Sequence, residues 1–452
     1  MKRKIYSKLL DWKNRHADKY ALLIDGARRV GKSWIAEEFA KNEYESYALI
    51  DFSKVGAGVR SIFNDYLNDL KTFYMLLQHE LHVKLIDGKS LLIFDEVQRF
   101  PRAREAIKTL VGDQEHNYHF LETGSLISIR KNTKDILIPS EELHVKMHPM
   151  DFEEFLWATG NEMSMPLIRE CFQKRKSPGN SAHRQMMNLF RQYLVVGGMP
   201  QAVAEFVKTT DLESVDLAKR AILEIYRGDI RKFGGALATK VERIFDEIPD
   251  QLSRHEKKFR VTDLEDQARM RDYQESFNWL ENAMTVNICR NSTEPNVGLK
   301  MNLDRASLKC YMADTGLLIS HAFDESDLIA EDIHRRLLLD KIELNKGMLV
   351  ENVVAQMLAA NGHKLYYHQQ SDAQKSADRM EIDFLVAKSK LTRRHNISPI
   401  EVKGGTNITH ASLDKFLKKY PEWLSEPFLL SDKDIRVEGG ITYLPLYMAC
   451  CL

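Results

Sequence analysis

The chain has 452 residues, more than one ordinary hydrophobic core holds, so two to four domains are expected. Lysine plus arginine equals aspartate plus glutamate at 65 each, which excludes a global field drawing the protein to nucleic acid or membrane and leaves only local patches. Five cysteines without a C-x-x-C pair argue for reduced thiols in a cytoplasm, charged residues interrupt the N-terminal segment too early for a signal peptide, and no apolar run approaches a membrane span.

Residues 1–20 read as a helix with a polar face. Residues 21–25 (ALLID) read as a buried strand and 34–41 as an amphipathic helix. Between them, 26–33 (GARRVGKS) fits G-x-x-x-x-G-K-[ST] at every fixed position. Strand, glycine loop and helix in that order form a phosphate cradle, because loop N–H groups and the helix dipole converge on one spot. Gly26 and Gly31 let the backbone curl. Arg28, Arg29, Val30 and Trp34 belong to the same nucleotide-binding stretch. Lys32 is expected to reach the β- and γ-phosphates of ATP, and Ser33 to ligate Mg²⁺.

Residues 47–52 read as a second strand and 61–85 as helical. His79 and His82 are three apart rather than four, and read as a solvated helix face. Residues 90–96 (SLLIFDE) predict a buried parallel strand that delivers Asp95 at its carboxyl end, beside the phosphate loop. Asp95 is expected to hold Mg²⁺, and Glu96 to orient or deprotonate the attacking water. A helix at 101–113 and a strand at 118–123 follow. Thr123 and Ser125 at that strand's end are either γ-phosphate contacts or simple turn residues. With 142–147 as a fifth strand, the pattern is that of a parallel α/β sheet.

Residues 151–240 read as mostly helical, with a Gly/Pro break at 197–200. Arg227 and Arg231 either touch a phosphate, in cis or across a subunit interface, or form a charged helix face. Helices in 241–320, followed by short strands at 299–303 and 308–312, suggest a two-stranded wing. Such elements bind DNA in some proteins and only pack in others; Arg269 and Arg271 are a thin basic signal. After a charged connection at 321–345, a new domain begins near 346. Its helix carries Glu351, a strand at 381–386 carries Asp383, and a strand at 399–403 carries Glu401 and Lys403. The strand period puts Glu401 and Lys403 on one face. Convergence of Glu351, Asp383 and Glu401 would give a divalent-metal site, with Asp383 and Glu401 as ligands and Lys403 positioning a water. That is equipment for phosphodiester hydrolysis; the alternative is a pair of edge strands with ordinary polar residues.

The series GARRVGKS (26–33), LLIFDEVQ (91–98), ETGS (122–125), HPMDFEEFL (148–156), GGMPQAV (197–203), IYRGDIRKF (225–233), YMADTGLL (311–318), EIDFL (381–385) and IEVK (400–403) runs through almost the whole chain. In this order it resembles the bacterial and archaeal AAA-type ATPases that carry a C-terminal domain of unknown function with a PD-(D/E)XK nuclease-like fold. The resemblance implies an α/β fold in four parts. These are a P-loop NTPase parallel sheet (1–150), a helical lid (151–240), a winged-helix-like element (241–320) and a restriction-endonuclease-like α/β domain with connecting helices (321–452). It implies ATP hydrolysis through Lys32 and Glu96, and places Glu351, Asp383, Glu401 and Lys403 at nuclease positions. A polar insert at 388–398, with Arg393, Arg394 and His395, either touches nucleic acid or solvates a hairpin. The expectation is a cytoplasmic ATP-driven switch that uses Mg²⁺, with DNA, RNA or protein as partner, a homo-oligomeric state open, and no membrane. Its alternative is a nucleotide-dependent scaffold whose nuclease-like domain binds without cleaving.

Overall fold

Buried parallel strands read as uninterrupted apolar runs, because both faces are covered. Strands β1 (Ala21–Asp25), β3 (Ser90–Asp95) and β4 (His119–Gly124) follow this rule and are buried at every position, whereas β2 (Ser46–Asp51) and β5 (Glu142–Lys146) mix buried and exposed residues. In the computed structural model, which describes residues 1–124, 140–296, 298–323, 336, 346–370, 379–388, 395–405 and 409–452, the five form one parallel sheet in the order β2-β3-β4-β1-β5. They belong to a compact unit spanning Met1–His148. One face packs Ile50, Phe52, Phe94 and Phe120 against Phe63, Phe73 and Ile107 from the helices Ala57–Asp65, Leu70–Leu81 and Pro101–Val111.

The strand order fixes the site. The chain leaves β1 through the helix Lys32–Glu43, goes out to β2 and returns through β3 to β4, which lies directly beside β1; β5 takes β1's other side. The carboxyl end of β1 is therefore the point where the winding reverses, the place where a crevice opens in such sheets. Because β4 lies between β1 and β3, its last residues stand between the phosphate loop and Asp95. Ser125 lies outside the described residues.

The second unit spans Pro149–Leu452. It opens with six helices, Phe152–Ala158, Ser164–Lys174, Asn180–Val196, Pro200–Thr209, Leu212–Phe233 and Ala238–Ser253. The expected wing differs. Leu299–Asn302 is a 3-10 turn, and the antiparallel pair is β6 (Val286–Ser292) with β7 (Leu303–Met312). The pair does not stand alone: β8 (Tyr366–Gln370) adds in parallel to the free edge of β6, and β9 (Met380–Ile382) continues the sheet as β7-β6-β8-β9. Strands from both sides of the 321–345 connection thus share one sheet. Most of that connection, and Arg393 and Arg394, lie outside the described residues. A second sheet, β10 (Phe384–Ala387), β11 (Ile397–Val402), β12 (Phe428–Ser431), β14 (Ile441–Pro445) and β13 (Arg436–Glu438) in spatial order, is backed by the helix Ala411–Lys419 through Leu385, Ile397, Leu413, Phe416 and Leu429.

Three motif segments meet inside this unit. Asp314 caps the helix Thr315–Ala322 by accepting from Leu317 N at 3.0 Å, and also accepts from Gly198 N at 2.5 Å and Gln356 Nε2 at 3.1 Å. Gln356 donates to Tyr193 Oη, whose hydroxyl donates to the Met150 carbonyl, both at 2.9 Å. Glycine is required at the crossing: a Cβ on Gly198 would stand 2.0 Å from the Met150 oxygen, and one on Gly316 would stand 2.5 Å from the Val196 oxygen. The GGMPQAV, YMADTGLL and HPMDFEEFL segments are therefore packing motifs here, tied through one buried carboxylate.

Candidate nucleotide site

Gly26 leaves β1 where the chain leaving β5 crosses closely; a Cβ there would lie 2.4 Å from the Met147 oxygen. The loop then passes through two left-handed residues, Arg29 (φ 68°) and Gly31 (φ 95°), an alternation that turns successive N–H groups to one side. The helix Lys32–Glu43 starts at once, so its dipole adds to the cradle. Lys32 is buried and donates to the carbonyls of Gly26 and Ala27, each at 2.9 Å. Burial holds its ammonium pKa below the usual lysine value, against the pull of Glu96, Asp25 and Asp95. Trp34 stays exposed on the helix's first turn.

Asp95 is the centre of the site. Its Oδ1 accepts from Ser33 Oγ at 2.8 Å and from the Thr123 hydroxyl, so β3, β4 and the loop helix meet on one oxygen. Glu96 follows in a left-handed conformation (φ 55°), which a non-glycine residue adopts only where its surroundings hold it. Its N–H lies 3.4 Å from Thr123 Oγ1 and its Oε2 accepts from Gln98 Nε2 at 2.6 Å. Gln98 was missed by sequence reasoning; its place two residues after the acidic pair is the only local signal. Arg227 and Arg231 are engaged in their own unit. Arg227 meets Glu224 at 2.8 Å and Asp246 at 3.3 Å, and Arg231 meets Glu242 at 2.9 Å.

The C-terminal acidic residues meet lysine side chains. Glu351, on the helix Lys346–Ala360, lies 3.0 Å from Lys309 Nζ and 2.5 Å from Lys257 Nζ, and accepts from the Tyr311 hydroxyl. Lys309, 1% exposed on β7, also reaches Glu381 at 2.7 Å and Asp383 at 3.5 Å. Asp383 sits at the bend where β9 passes from one sheet into β10 of the other, and its Oδ2 accepts from Val402 N at 2.8 Å. Glu401 pairs instead with Lys403 at 2.5 Å. Glu351, Asp383 and Glu401 are each paired with a lysine ammonium. A lysine ammonium draws the first two together, while Lys403 neutralises the third. Among the described residues no group of three or more His, Cys, Asp or Glu side chains is arranged to hold a metal ion. Lys257, Lys309, Tyr311 and Glu381 were not singled out from the sequence. A lysine inside the apolar run LKCYM was the available sign, because a buried charge needs partners.

Burial by itself would raise the Glu351 carboxyl, but Lys257 and Lys309 outweigh it and hold the group at about 2. Burial and the Glu351 charge push Asp383 up to about 7, against the two lysines. A carboxyl in an unfolded chain titrates near ~3.9. Folded Asp383 thus keeps a proton that the unfolded chain releases, and the associated stability is lost as pH rises through about 7. In thermal denaturation, the melting temperature of Asp383→Asn relative to wild type is expected to rise between about pH 4 and pH 7 and to level off above that, the window that linkage sets between the unfolded and folded values. A difference that stays constant with pH contradicts this assignment.

Family comparisons divide the chain into three. Residues 18–156 match an AAA domain, 187–327 a domain of unknown function (DUF8612) and 346–448 another domain of unknown function (DUF4143). No curated protein matches the chain. Among solved structures it is similar to a Walker-type ATPase of Pyrococcus abyssi, at 14% identity, with 71% of this chain and 95% of that one covered and a TM-score of 0.39. A STAND-class signal transduction ATPase with a tetratricopeptide repeat sensor from Pyrococcus horikoshii gives 11%, 80%, 45% and 0.29, and Cdc6p from Pyrobaculum aerophilum 11%, 74%, 92% and 0.27. The complete phosphate-loop motif and the parallel sheet with its switch at β1 lie within the residues that match the AAA domain, and together they show a P-loop type of α/β sheet there.

Proposed function

We propose that the protein binds MgATP at this loop, hydrolyses it and uses the nucleotide state as a switch. The observation that carries the reading is the shared Asp95 oxygen, which accepts from both Ser33 and Thr123 beside the phosphate loop. A carboxylate with two hydroxyls is an oxygen-only donor set, which suits Mg²⁺. Ser33 and Asp95 would hold the ion, whose contribution when bound is to neutralise charge between the β- and γ-phosphates. Lys32 would exchange two neutral carbonyls for anionic phosphate oxygens, a gain for an ammonium that burial disfavours. Glu96 would take up the attacking water once its carboxylate turns from Gln98. Thr123, adjacent to both acids, would register the γ-phosphate. Five free thiols fit a cytoplasmic setting.

For the second unit we favour a binding scaffold for protein or nucleic acid over a metal-dependent nuclease. The charge pairing supports this: Glu351 and Asp383 are engaged by lysine ammonium groups and Glu401 by Lys403. Removing one partner from such a buried set costs about 3–5 kcal/mol, so these groups serve the fold first.

Two assays test the two parts. Steady-state turnover should fall at least about 100-fold in Lys32→Ala and in Glu96→Gln, the size of a lost charge stabiliser or general base, with ATP binding kept in Glu96→Gln. Wild-type turnover no higher than that of Lys32→Ala defeats the enzyme reading. With Mg²⁺ or Mn²⁺ and single- or double-stranded DNA or RNA, the wild type is expected to leave substrate intact; cleavage that disappears in both Asp383→Ala and Lys403→Ala would reinstate the nuclease.

A further inference from the structure

Every residue of a phosphate loop carries a carbonyl as well as an N–H, and a carbonyl turned inward repels the anion. Three of them are engaged by cationic side chains here. Lys32 takes up the carbonyls of Gly26 and Ala27. The Val30 carbonyl is held from outside by Arg3, whose Nη1 donates to it at 2.9 Å. The same guanidinium donates through Nη2 to the His148 carbonyl at 2.7 Å, just past β5. Arg3 is 6% exposed and Val30 is fully buried. Val30 lies between the two left-handed residues of the loop, Arg29 and Gly31.

A peptide group is planar and trans, so its C=O and N–H point in opposite directions. Holding the Val30 oxygen outward therefore turns the Gly31 N–H inward, to where a phosphate would lie. Among the described residues that N–H donates to no backbone carbonyl. A cation on the carbonyl also polarises the peptide and strengthens its N–H as a donor. We infer that Arg3 is a positioning residue for the phosphate loop: it fixes the Val30–Gly31 peptide in the orientation that binds phosphate and ties it to the exit of β5. The inference rests on the nucleotide reading above. Its ligand is the polyphosphate chain, not the base. Lysine is a poor substitute, because its single ammonium lacks the planar fork that meets two separate carbonyls.

The test titrates inorganic tripolyphosphate and ATP calorimetrically into the full chain and its Arg3→Met and Arg3→Lys variants. Arg3→Met is expected to weaken both ligands by the same factor, about tenfold or more, the scale of a charge-assisted hydrogen bond, with Arg3→Lys in between. In turnover the loss should fall on KM rather than kcat, since the loop grips ground state and transition state alike. A variant damaged only in its folding would instead show a lower active fraction with unchanged Kd and KM, and that result overturns the inference. Unchanged affinity in a folded Arg3→Met does so too and leaves the nucleotide reading standing. If Arg3→Met does not fold, Arg3→Lys decides, and wild-type affinity in it overturns the proposal. A wild type that binds neither ligand overturns both readings together.

Discussion

One carboxylate oxygen holds the N-terminal unit's chemistry in register. Asp95 Oδ1 accepts hydroxyls from Ser33 and Thr123, which come from segments 62 and 28 residues away in the chain. Only the strand order makes this meeting possible, because β4 lies between β1 and β3 and its end falls between loop and acid. The core beneath is apolar and aromatic, with Phe52, Phe63 and Phe94 in edge-to-face contact, so the strand ends are held on a rigid base. Preorganisation of this kind lets a site bind without first spending energy on ordering its own side chains.

The second unit uses its charges for a different end. Lys309 gathers carboxylates from the helix Lys346–Ala360 and from the β9–β10 crossing, and Asp314 gathers the helical segments that surround it. Each is a buried charge whose desolvation is offset only by several partners at once, which makes the arrangement specific rather than merely stable. Lys309 lies on β7 and Asp314 just past its end, and the helices and sheets they contact belong to one compact unit.

How much of this was legible in the chain follows from the physics of each element. Strands β1, β3 and β4 were plain, since burial on both faces leaves an unbroken apolar run, and the phosphate loop was plain because its spacing is a geometric requirement. Strand β6 (VNICRNS) was not: its polar residues meet partners on β7, β8 and a neighbouring helix, as Arg290 does with Glu281 at 2.6 Å, and such partners have no local signature. The shared sheet β7-β6-β8-β9 was hidden for the same reason, as its central pairing of β6 with β8 joins segments more than 70 residues apart. Glu351, Asp383, Glu401 and Lys403 could be picked out as chemistry-bearing residues, but their spacing said nothing of Lys309, the cation that decides how two of them are used.

On the proposed function, Asp95 and its two hydroxyls would hold Mg²⁺ together with ATP. Equilibrium titration of ATP with and without Mg²⁺, into wild type and Asp95→Asn, tests this. Wild type should bind ATP at least about tenfold more tightly when Mg²⁺ is present, a gain of ~1.4 kcal/mol, and Asp95→Asn should lose that gain while keeping the Mg²⁺-free affinity. An affinity indifferent to Mg²⁺ in the wild type, or a full Mg²⁺ gain surviving in Asp95→Asn, would contradict it.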